Sequence, residues 1–219
     1  QTCALPISSM EKIVYRKARL DEYQKIGKVV ADSFFDYPFL TLIIDDLKKP
    51  ENYPAFLELL ESLLTRLYIK EETCLVAEQD GEILAVALLQ QNDFSILSYL
   101  LNGVIKLFRY ISPRNFLKYL DLVDRSEEHL KKSNSFDWYL MLLAVNPYLK
   151  GQGVGSAFLR DAVEPYVKSK GCKRLGLITS TDKNVPFYKK NDYVLLDFME
   201  LEYGTKSIGN WAFLKTINK

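Results

Sequence analysis

The run FDWYLMLLAV, Phe136 to Val145, stops at Asn146-Pro147, and three glycines follow it at 151, 153 and 155 before GSAFLRDAVEPYVKSKG begins. Ten residues of that apolar density read as a strand buried on both faces, which needs sheet neighbours and helices packed over it. Asn146-Pro147 ends the strand because proline has no N–H for the ladder. After the glycines the apolar spacing becomes helical, with Pro165 inside it as a candidate kink and Gly171 as its stop. A strand, a glycine loop and a helix in that order point to the α/β (α+β) class.

The loop itself favours anion chemistry. The first-turn amides of a helix have no intrahelical acceptor, and the helix dipole adds partial positive charge there. Glycine lets a backbone approach an anion closely, so the segment suits a pyrophosphate, with Lys150 able to add a full charge. No Lys-Ser or Lys-Thr pair follows the glycines, which speaks against a Walker loop. Gly151, Gly153 and Gly155 also lack the final spacing of a dinucleotide fingerprint, and they start too far beyond the strand. The competing reading is a turn that uses glycine only for tight packing.

Around this unit the chain alternates strand and helix signals. KIVYRKA (Lys12–Ala18) reads as a strand, and Asp21 as a cap before a helix carrying Ile26, Val29, Val30 and Phe34. DYPF breaks that helix, and Pro54 opens another. Thr73–Gln91 reads as a hairpin about Asp80-Gly81. Asp93 to Ser135 holds two helical patterns, a helical insert between strands. KRLGLITS reads as a strand, NVPFYKKN as a short helix and YVLLDFMELEY as a strand. GTKSIGNW then reads as a turn back into a last strand, WAFLKTI.

Composition removes several classes. Lys plus Arg number 29 against 28 Asp plus Glu in 219 residues, which gives no basic surplus for a nucleic-acid partner. The most apolar stretch, Phe94 to Ile111, is broken by Asn102, Lys106 and Arg109, so no membrane span is expected. Cys3, Cys74 and Cys172 have no CxxC spacing, which points to reduced thiols, a cytoplasmic location and no metal site. Residues 1–9, QTCALPISS, read as a non-native or disordered leader, since QTCALPI also translates a common sequencing adapter. Residues 10–219, with the insert at 93–135, then form one domain.

The strand LMLLAV, Asn146-Pro147 and the basic residue opening Lys150-Gly151-Gln152-Gly153-Val154-Gly155-Ser156 together resemble the coenzyme A motif of the GNAT superfamily of N-acetyltransferases. NVPFYKKNDY (Asn184–Tyr193) resembles that family's second signature, in the expected order, with one strand between. The resemblance covers Phe136 to about Phe198. Lys150 stands where Arg or Gln is more common, Asp192 where glycine is usual, and the insert replaces a short connection. Asp tolerates the left-handed backbone better than most residues.

The resemblance implies a mixed, mostly antiparallel sheet of about seven strands flanked by helices. It implies acetyl-CoA as co-substrate, no metal, and direct attack by a primary amine through a tetrahedral intermediate. Leu143, Ala144 and Val145 would hold the pantetheine arm. Lys150, Gly151, Gln152, Gly153, Val154, Gly155 and Ser156 would hold the pyrophosphate, and Asn184 would bond the arm farther along. Tyr188 would protonate the departing thiolate; otherwise it is a core aromatic beside Phe187. The acceptor is expected to be a small-molecule amine, and a homodimer is compatible. A protein amine acetyltransferase and a non-catalytic acyl-CoA sensor are the alternatives. Phe35, Tyr37, Phe39, Tyr99 and Phe108 are candidate linings of an acceptor cavity. No general base is legible: Glu78, Asp137, Glu200 and Glu202 read as ordinary carboxylates, His129 as a surface residue, and Cys74 and Cys172 as small hydrophobes.

Overall fold

A computed structural model of the chain describes residues 12–133 and 135–217. The leader expected over residues 1–9 lies outside the described residues. In chain order the elements are β1 (Val14–Lys17), α1 (Tyr23–Ser33), the short α2 (Pro38–Thr41), α3 (Tyr53–Lys70), β2 (Cys74–Gln79), β3 (Glu82–Gln90), α4 (Ile96–Leu101), α5 (Pro113–Lys132) and β4 (Trp138–Val145). After the glycine loop come α6 (Val154–Phe158), α7 (Glu164–Ser169), β5 (Arg174–Thr179), α8 (Val185–Lys190), β6 (Val194–Tyr203) and β7 (Lys206–Thr216).

The seven strands form one sheet in the order β1-β2-β3-β4-β5-β7-β6. Every adjacent pair is antiparallel except β4 and β5, which run parallel. Asp80 and Gly81 turn β2 into β3 with φ of 52° and 78°, the left-handed pair that a two-residue hairpin demands. β3 and β4 lie centrally, which is why both read as near-continuous apolar runs.

Helices cover both faces. On one, Phe158, Leu159, Val163 and Val167 pack against Ala85, Ala87, Leu140, Leu175 and Phe213. On the other, Ile26 and Val30 of α1 and Tyr68 of α3 pack against Val76, Val86, Leu88 and Ala144. A third cluster joins α3 to α5 and to β6 through Phe56, Leu57, Phe116, Leu122 and Leu201. α1 and α3 touch backbone to backbone: a Cβ at Gly27 would sit 2.5 Å from the Ser62 Cα.

Proline acts on the helix after the glycine loop as its chemistry requires. α6 and α7 are joined by a π-helical turn, Leu159–Val163, and Pro165 is the second residue of α7. The wider turn lets the helix pass a residue that cannot donate its own hydrogen bond.

Two sequence expectations change. The last strand begins at Lys206 rather than at Trp211, so the turn shrinks to Gly204-Thr205 and the hairpin lengthens. Gly209 looks like a turn residue but lies within β7, where the Trp211 and Phe198 rings cover it. His129 is not on the surface: its side chain is 7% exposed, because that face of α5 lies over the β6–β7 hairpin.

Candidate active site

The sheet opens at its one parallel pair. β4 and β5 are in register only at Trp138↔Leu175 and Tyr139↔Gly176, while β4 runs on to Val145 and β5 to Thr179. Along that open length β4 remains laddered to β3, with Ala144 opposite Val86 and Val145 opposite Ala85. The Asn146 N–H donates to Leu84 O at 2.8 Å. Backbone groups of an antiparallel strand alternate sides, so those of Leu143 and Val145 face the gap and those of Ala144 face β3.

The glycine loop stands at the mouth of the gap. Asn146 accepts from the Tyr148 N–H at 3.1 Å and starts the turn. Gly151 and Gly153 have φ of 80° and 82°, a conformation a side chain rarely tolerates, and a Cβ on either would meet nothing within 4 Å. Gly153 caps α6, whose first hydrogen bond runs from the Ala157 N–H to Gly153 O at 3.0 Å. The Val154, Gly155 and Ser156 amides therefore precede the intrahelical ladder. Gly155 is a packing glycine: its missing Cβ would lie 3.2 Å from a Val145 methyl and 3.3 Å from the Phe187 ring. Lys150 Nζ reaches Ser33 O at 3.3 Å, and Ser33 Oγ donates to Val145 O at 3.0 Å, so the end of α1 is tied to both loop and strand.

These groups line a groove of about 870 Å³. Its walls include Leu143, Val145, Lys150, Gly151, Gly153, Val154, Gly155, Ser156, Asn184 and Tyr188. Ala144 and Gln152 are not among them; Ala144 is fully buried, and Gln152 turns its amide back to Tyr148 O at 3.0 Å. Lys183 and Lys190 join Lys150 on the groove's walls, where Asp32, Asp36 and Asp182 balance their charge. The room, the loop amides and the lysines fit a long diphosphate ligand such as coenzyme A.

A second, smaller cavity of about 130 Å³ opens off the gap. Phe34, Tyr37, Leu143, Asn184 and Tyr188 line both spaces and so mark where they meet. Tyr188 is buried, packed on Phe187, Tyr193 and Phe213. Burial, with help from nearby Tyr37, raises its phenol well above the usual range, so it holds its proton at neutral pH. The Tyr37 hydroxyl accepts from the Ser180 N–H and lies 3.4 Å from Thr179 Oγ1, to which Asn184 Nδ2 donates at 3.0 Å. That chain locks the end of β5 against the segment after α1.

Of the aromatic residues expected around an acceptor, Tyr37 and Phe39 line the small cavity. Phe35 is exposed and lies tilted against Tyr53, Tyr99 meets Phe94, and Phe108 meets Phe116. The insert contributes through α5 instead, with Tyr119, Val123, Ser126 and Glu127. Behind Ser126, the fully buried Asn210 donates to Ser126 O at 2.7 Å, approaches His129 Nε2 at 3.1 Å and accepts from Ser180 Oγ at 3.1 Å. His129 Nδ1 lies 3.4 Å from Asp197, and burial holds the ring below its usual range.

Glu61, on α3, also lines the cavity, although no motif singles it out. A signal exists in the chain: it falls in register with Leu57, Leu64 and Tyr68 on the apolar stripe of the helix. Burial pushes its carboxyl up to about 8. The other candidate carboxylates are ordinary. Glu78 accepts from Arg16 Nε at 2.7 Å, Asp137 accepts from the Lys173 and Arg174 N–H groups, and Glu200 and Glu202 are exposed. Cys74 and Cys172 are buried thiols, both pushed up by burial, Cys172 to about 11. Among the described residues no three His, Cys, Asp or Glu side chains gather as a metal-ligating group, and no helix is long and apolar enough to cross a membrane.

The strand end and the glycine loop that the resemblance assigned to the cofactor line one groove, and the sequence comparison agrees with the family: the family described as Acetyltransferase (GNAT) matches residues 39–193. The chain belongs to the GNAT acetyltransferase family. As a GNAT protein it is an acyltransferase, of a family that uses acetyl-CoA as co-substrate. Solved structures share the fold over nearly the whole chain. Arylalkylamine N-acetyltransferase 2 from Aedes aegypti superposes with a TM-score of 0.65 at 17% identity, covering 95% of this chain and 100% of that one. The polyamine N-acetyltransferase of Drosophila melanogaster, described as forming N-acetylagmatine, gives 0.62 at 16%, covering 94% and 100%. The PaiA N-acetyltransferase from Thermoplasma acidophilum, solved with coenzyme A, gives 0.56 at 14%, covering 94% and 99%. No curated protein sequence matches this chain significantly.

Proposed function

We propose that this GNAT protein transfers the acetyl group of acetyl-CoA to a primary amine of a small molecule, with the cofactor in the groove and the amine in the adjoining cavity. The observation that carries the reading is the junction: Tyr188, Asn184 and Leu143 belong to both spaces, so two ligands would meet beside a proton-holding phenol. Structures of the same fold described as acting on arylalkylamines and agmatine are consistent with a small acceptor.

Acetyl-CoA, when bound, supplies an activated acyl thioester. The amides of Val154, Gly155 and Ser156 would bind its diphosphate, with Lys183 and Lys190 adding charge. The backbone edge of Leu143 and Val145 would pair with the pantetheine arm in the gap. The Val145 N–H would polarise the acyl oxygen as its charge grows. An alkyl amine is mostly protonated at neutral pH, and desolvation at the junction would disfavour that charge and release the free amine. Tyr188 would give its proton to the leaving sulfur, a role for a phenol that stays neutral at pH 7.

Calorimetry with acetyl-CoA and a thiol-release assay against a panel of small amines test this. Binding is expected in wild type and weakened about tenfold or more in Gly153→Val, where a branched side chain meets a left-handed backbone. Folded wild-type protein that takes up no acetyl-CoA, or binds it and releases no thiol with any amine, would rule the proposal out.

A further inference from the structure

Glu61 is 2% exposed, and its Oε2 has no hydrogen-bond partner. A buried carboxyl without partners is destabilising, whereas a leucine at this point of the α3 stripe would simply pack. Among the described residues no hydrogen bond or ion pair reaches Glu61 Oε2. The side chain instead forms part of the wall of the small cavity, among Phe34, Tyr37, Phe39, Tyr119 and Tyr139.

Position says what it faces. Glu61 lines the cavity but not the cofactor groove, whereas Tyr188, Asn184 and Leu143 line both. An acceptor with its reacting nitrogen at the junction would present its other end to Glu61. The cavity also holds Glu127, but Lys131 already pairs with that carboxylate at 2.8 Å. Glu61 is therefore the carboxyl left for a ligand, and a cation seated beside it would favour loss of the proton that burial retains. Tyr119 lies close enough that a negative charge on Glu61 raises its phenol further, and ring faces of this kind favour a cation.

Size narrows the class. A cavity of about 150 Å³ holds benzene, so the 130 Å³ here has room for roughly six non-hydrogen atoms. Two nitrogens and a spacer of about four carbons fill that count.

We propose that Glu61 anchors a second, non-reacting cation of the acceptor, and that the preferred substrates are short diamines with about four carbons between the nitrogens. The proposal rests on the assignment of the groove to acetyl-CoA and of the cavity to the amine. It adds a specificity that a simple amine acetyltransferase would lack.

The test compares acetyl transfer to 1,4-diaminobutane and to butylamine, which keeps the chain and lacks the second cation, at saturating acetyl-CoA. In wild type the diamine is expected to exceed the monoamine in kcat/KM by about tenfold or more. In Glu61→Gln, which keeps shape and polarity, that ratio is expected to fall to within about threefold of one. A wild-type ratio near one overturns the proposal and needs no variant to fold. So does a ratio that Glu61→Gln leaves intact, or an equal proportional loss for both amines, which would move Glu61 to the reacting nitrogen. Absence of transfer to every amine would instead count against the acetyltransferase reading. Calorimetry of both amines into the coenzyme A-loaded protein then decides Glu61: tighter diamine binding by about tenfold supports the anchor, and equal binding removes it.

Discussion

Tyr188 and Glu61 occupy the same cavity wall and gain opposite functional meanings from burial. Desolvation keeps the phenol protonated, which suits a proton donor. Tyr188→Phe is expected to lower kcat by about a hundredfold, within the range for removing one general acid, while acetyl-CoA affinity stays within a factor of about two. Unchanged turnover by steady-state kinetics would return Tyr188 to a packing role. For Glu61 the same desolvation raises a carboxyl from its ordinary 4.5 to about 8. The fold therefore holds a proton that the unfolded chain releases. Its contribution to stability is complete below about pH 4.5 and is lost as pH rises through about 8. Glu61→Gln should match wild type in denaturant unfolding near pH 5 and exceed it increasingly toward pH 8. Tyr53 and Tyr119, which face Glu61, are both raised from 10 and titrate above that window. Glu127 and His129 on α5 are the same in both proteins and cancel in the difference. Equal stabilities at both pH values would show that Glu61 is solvated.

At the scale of elements, the site depends on how closely α1 and α3 approach. Gly27 lets the helices touch at Ser62, next to Glu61 in sequence, and α1 delivers Ser33 and Phe34 to the gap. Gly27→Val forces the pair apart and is expected to cost about 1–3 kcal/mol, measured by denaturant unfolding, as overpacking usually does. A neutral result would mean the helices separate without resistance. The loop after β4 is as constrained: Gly155 fits between Val145 and Phe187, so strand end, loop and α8 are positioned together. Asp192, where the family usually has glycine, adopts φ of 65° after α8. Asp meets that backbone demand because it accepts the left-handed region better than most side chains.

For the molecule as a whole, protection follows the layers. β3 is buried along Ile83–Leu89 and paired on both edges, whereas α4 buries none of its residues. Native-state amide exchange is expected to be slowest in β3 and fastest, among the helices, in α4. Exchange in α4 as slow as in β3 would show that the insert folds as one unit with the sheet. α5, by contrast, is fastened to the β6–β7 hairpin by Asn210 and closes one side of the cavity. The insert thus has an outer part that the site does not use and an inner helix that it does.

Local backbone physics is legible in the chain itself. Asp80-Gly81 dictates a hairpin, Pro147 ends a strand, and Gly151 and Gly153 supply the left-handed turns from which α6 starts. Each depends on neighbours within a few residues, so sequence suffices. The extra length of β7 is hidden because Gly209 is covered by rings two and eleven positions away, along its own strand and across the hairpin. His129 reads as a surface residue because its helix face is polar, and nothing nearby in the chain announces that Asn210 and Asp197 cover it. Glu61 becomes a site residue only when α3, α5 and the open β4–β5 pair enclose one space. Those outcomes are decided by contacts between segments far apart in sequence, whose packing a linear pattern of apolar and polar residues does not specify.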